Sequence, residues 1–149
     1  MSTEKWTAAQ FREYQKTKVK PERGNKFGAV RATWGGRSFD SIAERDYAIE
    51  LDMLRKAGEI KRVGYQYKIS LESEGRFVCF YRIDFRLVMA DNSIVFCEFK
   101  GVETDAWKIK WALLKAQLHE IEPNGKLWLV KKIGGRFETV EVFNAEKIV

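Results

Sequence analysis

Two acids and a lysine on consecutive predicted strands are the side chains of this chain best suited to chemistry. Asp84 lies in the segment Tyr-Arg-Ile-Asp-Phe-Arg-Leu-Val, and Glu98 and Lys100 lie in the next apolar segment, after a turn at Asp91-Asn92. Because side chains alternate between the faces of a strand, Glu98 and Lys100 should point the same way and their apolar neighbours the other way. Charged groups on an apolar strand are costly unless they are paired or bind something. Two acids on neighbouring strands therefore predict a site for a divalent cation.

Glu44 is a further acid that could join this group. It precedes Tyr47 by three positions and Leu51 by seven on a predicted helix, so it lies on or beside the apolar stripe and should be directed at the sheet. The segment Ser-Ile-Ala-Glu that starts at Ser41 is also a capping box, in which Glu44 would serve the start of the helix. The sequence leaves both roles open, and they are compatible.

The elements that must position these residues follow from apolar periodicity and from turn residues. Gly35-Gly36 between two short apolar segments predicts a hairpin. Helices are predicted over residues 7–16, 42–57 and 105–121. Strands are predicted over residues 65–71, 76–89, 93–100, 126–133 and 136–143. This order predicts an α/β fold in which helices flank a mixed sheet.

Composition and charge narrow the class of protein. The chain has 149 residues, 45% of them hydrophobic, which is enough for a single domain, expected over residues 25–149. Residues 1–24 are expected to form a basic arm. No apolar run reaches the roughly 18 residues that span a bilayer, and no signal peptide is seen, so we expect no membrane association. Residues 1–36 hold eight basic and three acidic side chains, which favours a polyanionic partner, with a merely solvated tail as the alternative.

The order of these elements resembles the PD-(D/E)xK nuclease superfamily. A helix with Glu44, a strand with Asp84, a strand with Glu98 and Lys100, and a further helix follow one another as in that superfamily. The resemblance implies a restriction-endonuclease-like core. Residues 35–101 are similar to phage junction-resolving endonuclease I, and residues 25–114 resemble an uncharacterised family of small phage proteins. Ile83 stands where the superfamily usually has a proline.

The resemblance implies hydrolysis of DNA phosphodiesters with Mg²⁺ or Mn²⁺ as the cofactor. Asp84 and Glu98 would bind the metal, together with the backbone carbonyl of Phe99. Glu44 would hold a second metal or a metal-bound water. Lys100 would orient the attacking water or offset charge in the transition state.

Surface ion pairs are the alternative explanation of the same residues. Arg82 and Arg86 flank Asp84 on its own face of the predicted strand, and Lys100 neighbours Glu98. Salt bridges on an exposed face would account for each acid separately. Taken together with Glu44 and the helix order, the residues favour the cation site over this alternative, which stays open.

Basic side chains outside this group are candidates for binding DNA. Lys108 and Lys115 lie seven positions apart on the second long helix, on a face expected to be exposed, and the resemblance places that helix close to the cut strand. Phosphate contacts give affinity without reading sequence, so we expect recognition of DNA shape. The candidates are Lys26, Arg31, Arg37, Lys108, Lys110 and Lys115.

We therefore expect a Mg²⁺-dependent DNA endonuclease that resolves Holliday junctions or other branched DNA in phage recombination or replication. It would be phage-encoded and would act in the cytoplasm of the bacterial host. The family likeness implies a homodimer, because resolution of a junction needs two coordinated cuts. One alternative is a nicking or single-strand nuclease in phage DNA processing. The other is a non-catalytic DNA-binding or partner-binding module that retains the nuclease fold.

Overall fold

The computed structural model describes residue 9 and residues 30–145 of a chain that divides into two compact units, Met1–Arg45 and Asp46–Val149. In the first unit, β1 (Ala32–Trp34) and β2 (Arg37–Phe39) form the predicted antiparallel hairpin. Its turn residues Gly35 and Gly36 have φ values of +59° and +75°, and a tight hairpin turn of type I′ needs positive φ at both positions. The predicted N-terminal helix and the predicted boundary at residue 24 lie outside the described residues.

Helix α1 (Ile42–Lys56) begins in the first unit and continues into the second. At its start, the backbone N–H of Glu44 donates to Ser41 Oγ at 3.0 Å, which satisfies one of the amides that the first turn leaves unpaired. At its end, Gly58 adopts a φ of +86°, the left-handed conformation that commonly stops a helix. In the second unit the helix buries Tyr47, Ala48 and Leu51. Of the apolar stripe that the sequence predicts, Tyr47 and Leu51 are buried and Leu54 is half-buried.

The second unit is built on a five-stranded mixed sheet, which confirms the predicted α/β arrangement. Its strands lie in the order β3 (Ile60–Ser73), β4 (Arg76–Met89), β5 (Ile94–Phe99), β6 (Lys126–Ile133) and β7 (Arg136–Asn144). Neighbouring strands are antiparallel except β5 and β6, which are parallel. Helix α2 (Asp105–Ile121) connects these two, as a parallel pair requires a crossover.

The two helices cover opposite faces of the sheet. Phe96 and Cys97 are neighbours on β5 and therefore point to opposite faces. Phe96 packs into the apolar cluster formed with α2, whereas Cys97 Sγ lies 3.4 Å from the hydroxyl of Tyr47 on α1. The face of α2 buried in that cluster is the predicted stripe, with Trp107, Trp111, Leu114 and Leu118. Among the described residues, no helix is both long and apolar enough to cross a membrane.

The predicted start of β3 was wrong, because the strand begins at Ile60, five residues before the expected position. Gly64 lies in the part of the strand that the prediction left out. In the structure Gly64 is paired with Arg86 of β4, and a Cβ added to it would lie 3.4 Å from the Arg86 carbonyl oxygen. The glycine therefore sits inside a continuous pair of long strands.

Candidate functional site

Asp84 and Glu98 meet at the point where β4 and β5 stop pairing through their backbones. The register of these strands runs from Val88 opposite Ile94 to Phe85 opposite Cys97. Beyond that last pair, carboxylate oxygens replace carbonyl oxygens as acceptors. The backbone N–H of Phe99 donates to Asp84 Oδ2 at 2.9 Å, and the backbone N–H of Asp84 donates to Glu98 Oε2 at 3.4 Å. The two acids therefore close the end of the strand pair reciprocally.

The strand β4 changes the face of its buried side chains at Asp84. Ile83 belongs to the cluster packed against α2, whereas the ring of Phe85 lies 5.5 Å from that of Tyr47 on α1. Regular alternation would place Ile83 and Phe85 on the same face, so the strand is irregular between them. Across from this point on β3, Gln66 has a φ of +50°, a conformation that residues with side chains rarely adopt. The acids thus lie at a local irregularity that involves both neighbouring strands.

Burial differs between the two acids. Glu98 is only 5% exposed, and Asp84 is half-buried. Two carboxylates held close together in a partly buried place repel one another more strongly than they would in water. Such an arrangement favours a cation or a proton between them.

The hydroxyl of Tyr81 connects the acids to α2. It accepts a hydrogen bond from Trp107 Nε1–H at 2.8 Å. Burial raises the pKa of Tyr81, and the negative charge of the nearby Glu98 carboxylate raises it further. The phenol therefore keeps its proton beside that carboxylate.

Lys100 lies on the same side of the sheet as Glu98. Its backbone N–H donates to the Val130 carbonyl at 3.1 Å, which holds it beside β6. Its Nζ lies 5.4 Å from the centre of the Trp107 ring, within the range of a cation–π contact. Trp107 therefore touches both the lysine and, through Tyr81, the acid.

Cys97 offers no thiol chemistry at this place. It is fully buried on the opposite face of β5 from Glu98, and its thiol contacts the hydroxyl of Tyr47. Burial raises the pKa of Cys97, and the charges of Asp84 and Glu98 add to that rise. A thiol that stays protonated is a poor nucleophile and a poor metal ligand.

Glu44 lies in the first compact unit. Its side chain is 5% exposed, and its backbone N–H is capped by Ser41. The capping interaction predicted from sequence is therefore present at the Ser41 side chain. A role for the Glu44 carboxylate in the site stays a prediction.

The predicted DNA-binding residues differ in their surroundings. Lys108 and Lys110 are exposed on α2, Arg37 is exposed on β2, and Arg31 lies 4.0 Å from Asp40. Lys26 lies outside the described residues.

Lys115 corrects the expectation of an exposed face on α2. It is half-buried, and its Nζ binds Glu141 Oε1 at 2.8 Å. The physical reason is the position of β7, which brings Glu141 beside that turn of the helix. That pairing was not predictable from local pattern, because it depends on the register of β6 and β7.

Two residues of this network were not singled out by sequence reasoning. The apolar pattern predicts Tyr81 only as part of a strand, and helical spacing predicts Trp107 only as an apolar position of α2. Both are indeed buried, but their polar atoms join across 26 positions of sequence. The available signal was chemical, since buried Tyr and Trp side chains usually find a partner for their O–H and N–H groups.

The donors present suit a hard cation that needs few protein ligands. Within residues 30–145, no group of three or more His, Cys, Asp or Glu side chains is arranged to hold a metal ion. Mg²⁺ is usually bound through one or two carboxylates together with waters and substrate phosphates. The pair of Asp84 and Glu98 fits that pattern, and their hard oxygen atoms fit the ion.

Comparison with known proteins gives one match. A family model described as "protein of unknown function (DUF1064)" matches residues 24–134. No curated protein and no solved structure gave a significant match. The matched range includes Asp84, Glu98 and Lys100.

Proposed function

The chain belongs to this family of unknown function, DUF1064, and from its own side chains we propose that it is a divalent-metal-dependent DNA endonuclease with a restriction-endonuclease-like core. The observation that carries the proposal is the reciprocal contact of Asp84 and Glu98 at the end of the β4–β5 pair. We propose branched DNA, such as a four-way junction, as the substrate.

The backbone contacts of the two acids suit them to hold Mg²⁺ or Mn²⁺. A carboxylate has about four acceptor positions on its two oxygens, so an N–H contact can orient it without using its whole capacity. Asp84 and Glu98 would be the direct ligands, and the Phe99 carbonyl is the third that the sequence resemblance implies. When bound, the cation would lower the pKa of a water and stabilise charge on the phosphate.

The neighbouring side chains have separate tasks in this proposal. The Lys100 ammonium group would offset negative charge that develops on the phosphate oxygens during attack. Tyr81 would hold the Glu98 carboxylate in one orientation, which is the usual effect of a hydrogen bond to a metal ligand. Gln66 adds support, because residues in sparsely populated backbone conformations cluster at functional sites.

The surface of α2 supplies support for a polyanionic substrate. Lys108 and Lys110 follow Trp107 on the exposed part of that helix, so phosphate-binding groups lie on the element that contacts Lys100. Such contacts would give affinity that falls steeply with salt. They would favour a recognised shape over a recognised sequence.

A cleavage assay tests the proposal directly. Four-way junction, duplex and single-stranded DNA are each incubated with the protein in Mg²⁺, in Mn²⁺ and in EDTA. Metal-dependent cutting of the junction alone supports the proposal as stated. Cutting of every substrate supports the nicking or single-strand nuclease. Binding of DNA without cutting in any metal supports a non-catalytic module and contradicts the proposed activity.

Conservative variants then assign the cutting to this site. Asp84→Asn and Glu98→Gln keep the size of each side chain and should lower the rate more than about 100-fold while DNA binding persists, since ligand loss exceeds the effect of losing a partner of a ligand. Asp52→Asn is the matched control, because Asp52 is ion-paired with Arg55 and Lys56 on α1. An Asp84→Asn protein that cuts at the wild-type rate shows that a different site is responsible.

A further inference from the structure

The outer part of the β3–β4 hairpin extends beyond the rest of the sheet. The two strands pair from Ile60 opposite Met89 to Ser73 opposite Arg76, whereas the pairing of β4 with β5 covers Phe85 to Val88. We call residues 67–83 the ribbon. One face of the ribbon is packed against α2 and contributes Ile69, Leu71, Cys79 and Tyr81 to the apolar cluster.

The ribbon exposes aromatic rings on the surface that α2 does not cover. Phe77 is 57% exposed and Phe80 is 47% exposed, and their ring centres lie 4.8 Å apart. Lys68 Nζ lies 3.7 Å from the centre of the Phe80 ring. Exposed aromatic rings beside cations are the combination that proteins use to hold single-stranded nucleic acid.

The cations of the ribbon lack an opposite charge across the strand pair. Lys68 and Arg82 are direct cross-strand partners, and like charges in that position destabilise a sheet. The acids of the ribbon, Glu72 and Glu74, lie at its tip. An anionic partner near the base of the ribbon would relieve the repulsion, and it would be drawn away from the tip.

These cations share the face of the ribbon opposite to α2. Arg82 alternates with Tyr81 and Ile83, which pack into the cluster with that helix, and Lys68 is its partner across the strand pair. A symmetric contact between two copies of the chain is disfavoured at this surface, because it would bring the same unneutralised cations together.

We propose that the ribbon binds an unpaired segment of DNA, with bases stacked on Phe77 and Phe80 and phosphates bound by Lys68 and Arg82. A duplex hides the faces of its bases, so this surface would select DNA that contains unpaired nucleotides. The inference deepens the proposed endonuclease function, on which it rests for the choice of DNA as the ligand. Binding by the ribbon itself requires neither metal nor cleavage.

The test is a binding measurement in EDTA, so that it is independent of the nuclease activity. Fluorescence anisotropy is recorded with a labelled 20-nucleotide oligothymidine and with a duplex of equal length, for the full chain and for Phe77→Leu/Phe80→Leu. The leucines keep the surface apolar and remove the stacking faces. The variant should bind the oligothymidine about 5- to 100-fold more weakly and the duplex nearly unchanged.

Charge variants provide the second arm. Lys68→Gln/Arg82→Gln should weaken binding of both ligands and reduce the slope of log K against log[salt] by about 1.4 for the single strand. Lys132→Gln is the matched control, because its Nζ lies 5.6 Å from the Phe137 ring on the other hairpin of the sheet. It should leave the affinity for oligothymidine within about twofold of the wild type, less than the loss of one phosphate contact.

Three outcomes would overturn the inference. Oligothymidine affinity that is equal in wild type and in the two double variants excludes the ribbon as the binding surface. Equal losses for Lys132→Gln and Lys68→Gln/Arg82→Gln indicate non-specific attraction by net charge. A change in oligomeric state of Phe77→Leu/Phe80→Leu by light scattering, without a change in DNA affinity, assigns the surface to contact between copies. A variant that loses cleavage but keeps its affinity for oligothymidine is consistent with binding by the ribbon, and it shows that this inference and the nuclease proposal can be tested separately.

Discussion

The two hairpins at the edges of the sheet both turn through residues with positive φ, and they differ in the charges that face each other across the strands. The β3–β4 hairpin turns at Glu74 and Gly75 and the β6–β7 hairpin at Gly134 and Gly135, all four with positive φ. On β6–β7, Lys131 faces Glu138 across the pair and also binds Glu103. On the ribbon, Lys68 faces Arg82. At this position the β6–β7 hairpin places a cation opposite an acid, whereas the ribbon places two cations opposite one another.

The aromatic residues of the two hairpins differ in how much they are exposed. Phe137 of the β6–β7 hairpin is half-buried, with its ring 5.2 Å from that of Tyr47 and 6.0 Å from that of Phe99. Phe77 and Phe80 of the ribbon are largely exposed. The exposed apolar side chains of β7, Val140 and Val142, are aliphatic and cannot stack on a base. A hairpin at a sheet edge therefore does not by itself require exposed rings, and exposed rings on the ribbon are what the proposed binding to unpaired bases would use.

The largest predicted effect tests whether the two hairpins are equally part of the core. Leu71 of the ribbon and Leu127 of β6 are both fully buried in the cluster with α2. Leu71→Ala and Leu127→Ala should each lower the free energy of unfolding by about 2–5 kcal/mol, measured by urea denaturation. A loss below about 1 kcal/mol for Leu71→Ala alone would show that the ribbon is detached from the core in solution.

The next largest effect is expected from removing the hydrogen bonds that α2 makes to each hairpin. Trp107 Nε1–H donates to Tyr81 on β4, and Trp111 Nε1–H donates to Glu141 on β7 at 3.4 Å. Tyr81→Phe leaves a buried donor without its acceptor and should cost about 1–3 kcal/mol. Glu141→Gln keeps an oxygen acceptor and should cost at most about 1 kcal/mol, through the weakened pair with Lys115.

Denaturation curves of both variants check this difference, with Trp fluorescence as the probe. If Tyr81 also orients Glu98, Tyr81→Phe should lower the cleavage rate by about 10- to 100-fold at substrate saturation. Equal stability losses for the two variants would mean that the hydrogen bond from Trp107 has no special weight.

A smaller effect of opposite sign is expected when charges are exchanged between the hairpins. Arg82→Glu places a carboxylate opposite Lys68 and should stabilise the protein by about 0.2–1 kcal/mol at low salt. Glu138→Lys places an ammonium group opposite Lys131 and should destabilise it by a similar amount. Thermal denaturation at two salt concentrations measures both. Arg82→Glu should therefore make the protein more stable and at the same time weaken its binding of oligothymidine.

The smallest effect concerns pH. The hydrogen bond from Lys131 holds the pKa of Glu103 below its usual value. Because the folded pKa is lower than the unfolded one, this stabilisation is complete above the unfolded pKa of about 4.3 and is lost as pH falls through the folded pKa. Glu103→Gln should therefore reduce the loss of stability between about pH 5 and pH 3.

Much of the fold followed from local pattern. The stripe of Trp107, Trp111 and Leu114 predicted α2, and the glycine pairs predicted two hairpin turns, because period and turn chemistry are encoded within a few residues. The irregularity at Asp84 was not predictable in this way. Ile83 and Phe85 look like consecutive members of one apolar face, and only packing against two different helices shows that they are not.

For the site, too, contacts between neighbouring segments of the chain could be predicted, and contacts between distant segments could not. Placement of Asp84 and Glu98 on neighbouring strands could be predicted, because β4 and β5 are joined by a short turn. The link from Glu98 through Tyr81 to Trp107 could not, since it depends on how α2 lies on the sheet. Chemistry at these residues stays a prediction until cleavage is measured.

Two backbone amides of this molecule end on side-chain acids where a regular ladder would offer peptide oxygens, those of Asp84 and Phe99. The resonance frequency of such an amide depends on whether its acceptor is ionised, protonated or shared with a cation. A ¹⁵N-labelled sample therefore carries its own pair of spectroscopic probes at the place in question. Titration with acid or Mg²⁺ would move these two peaks first, before any substrate is added.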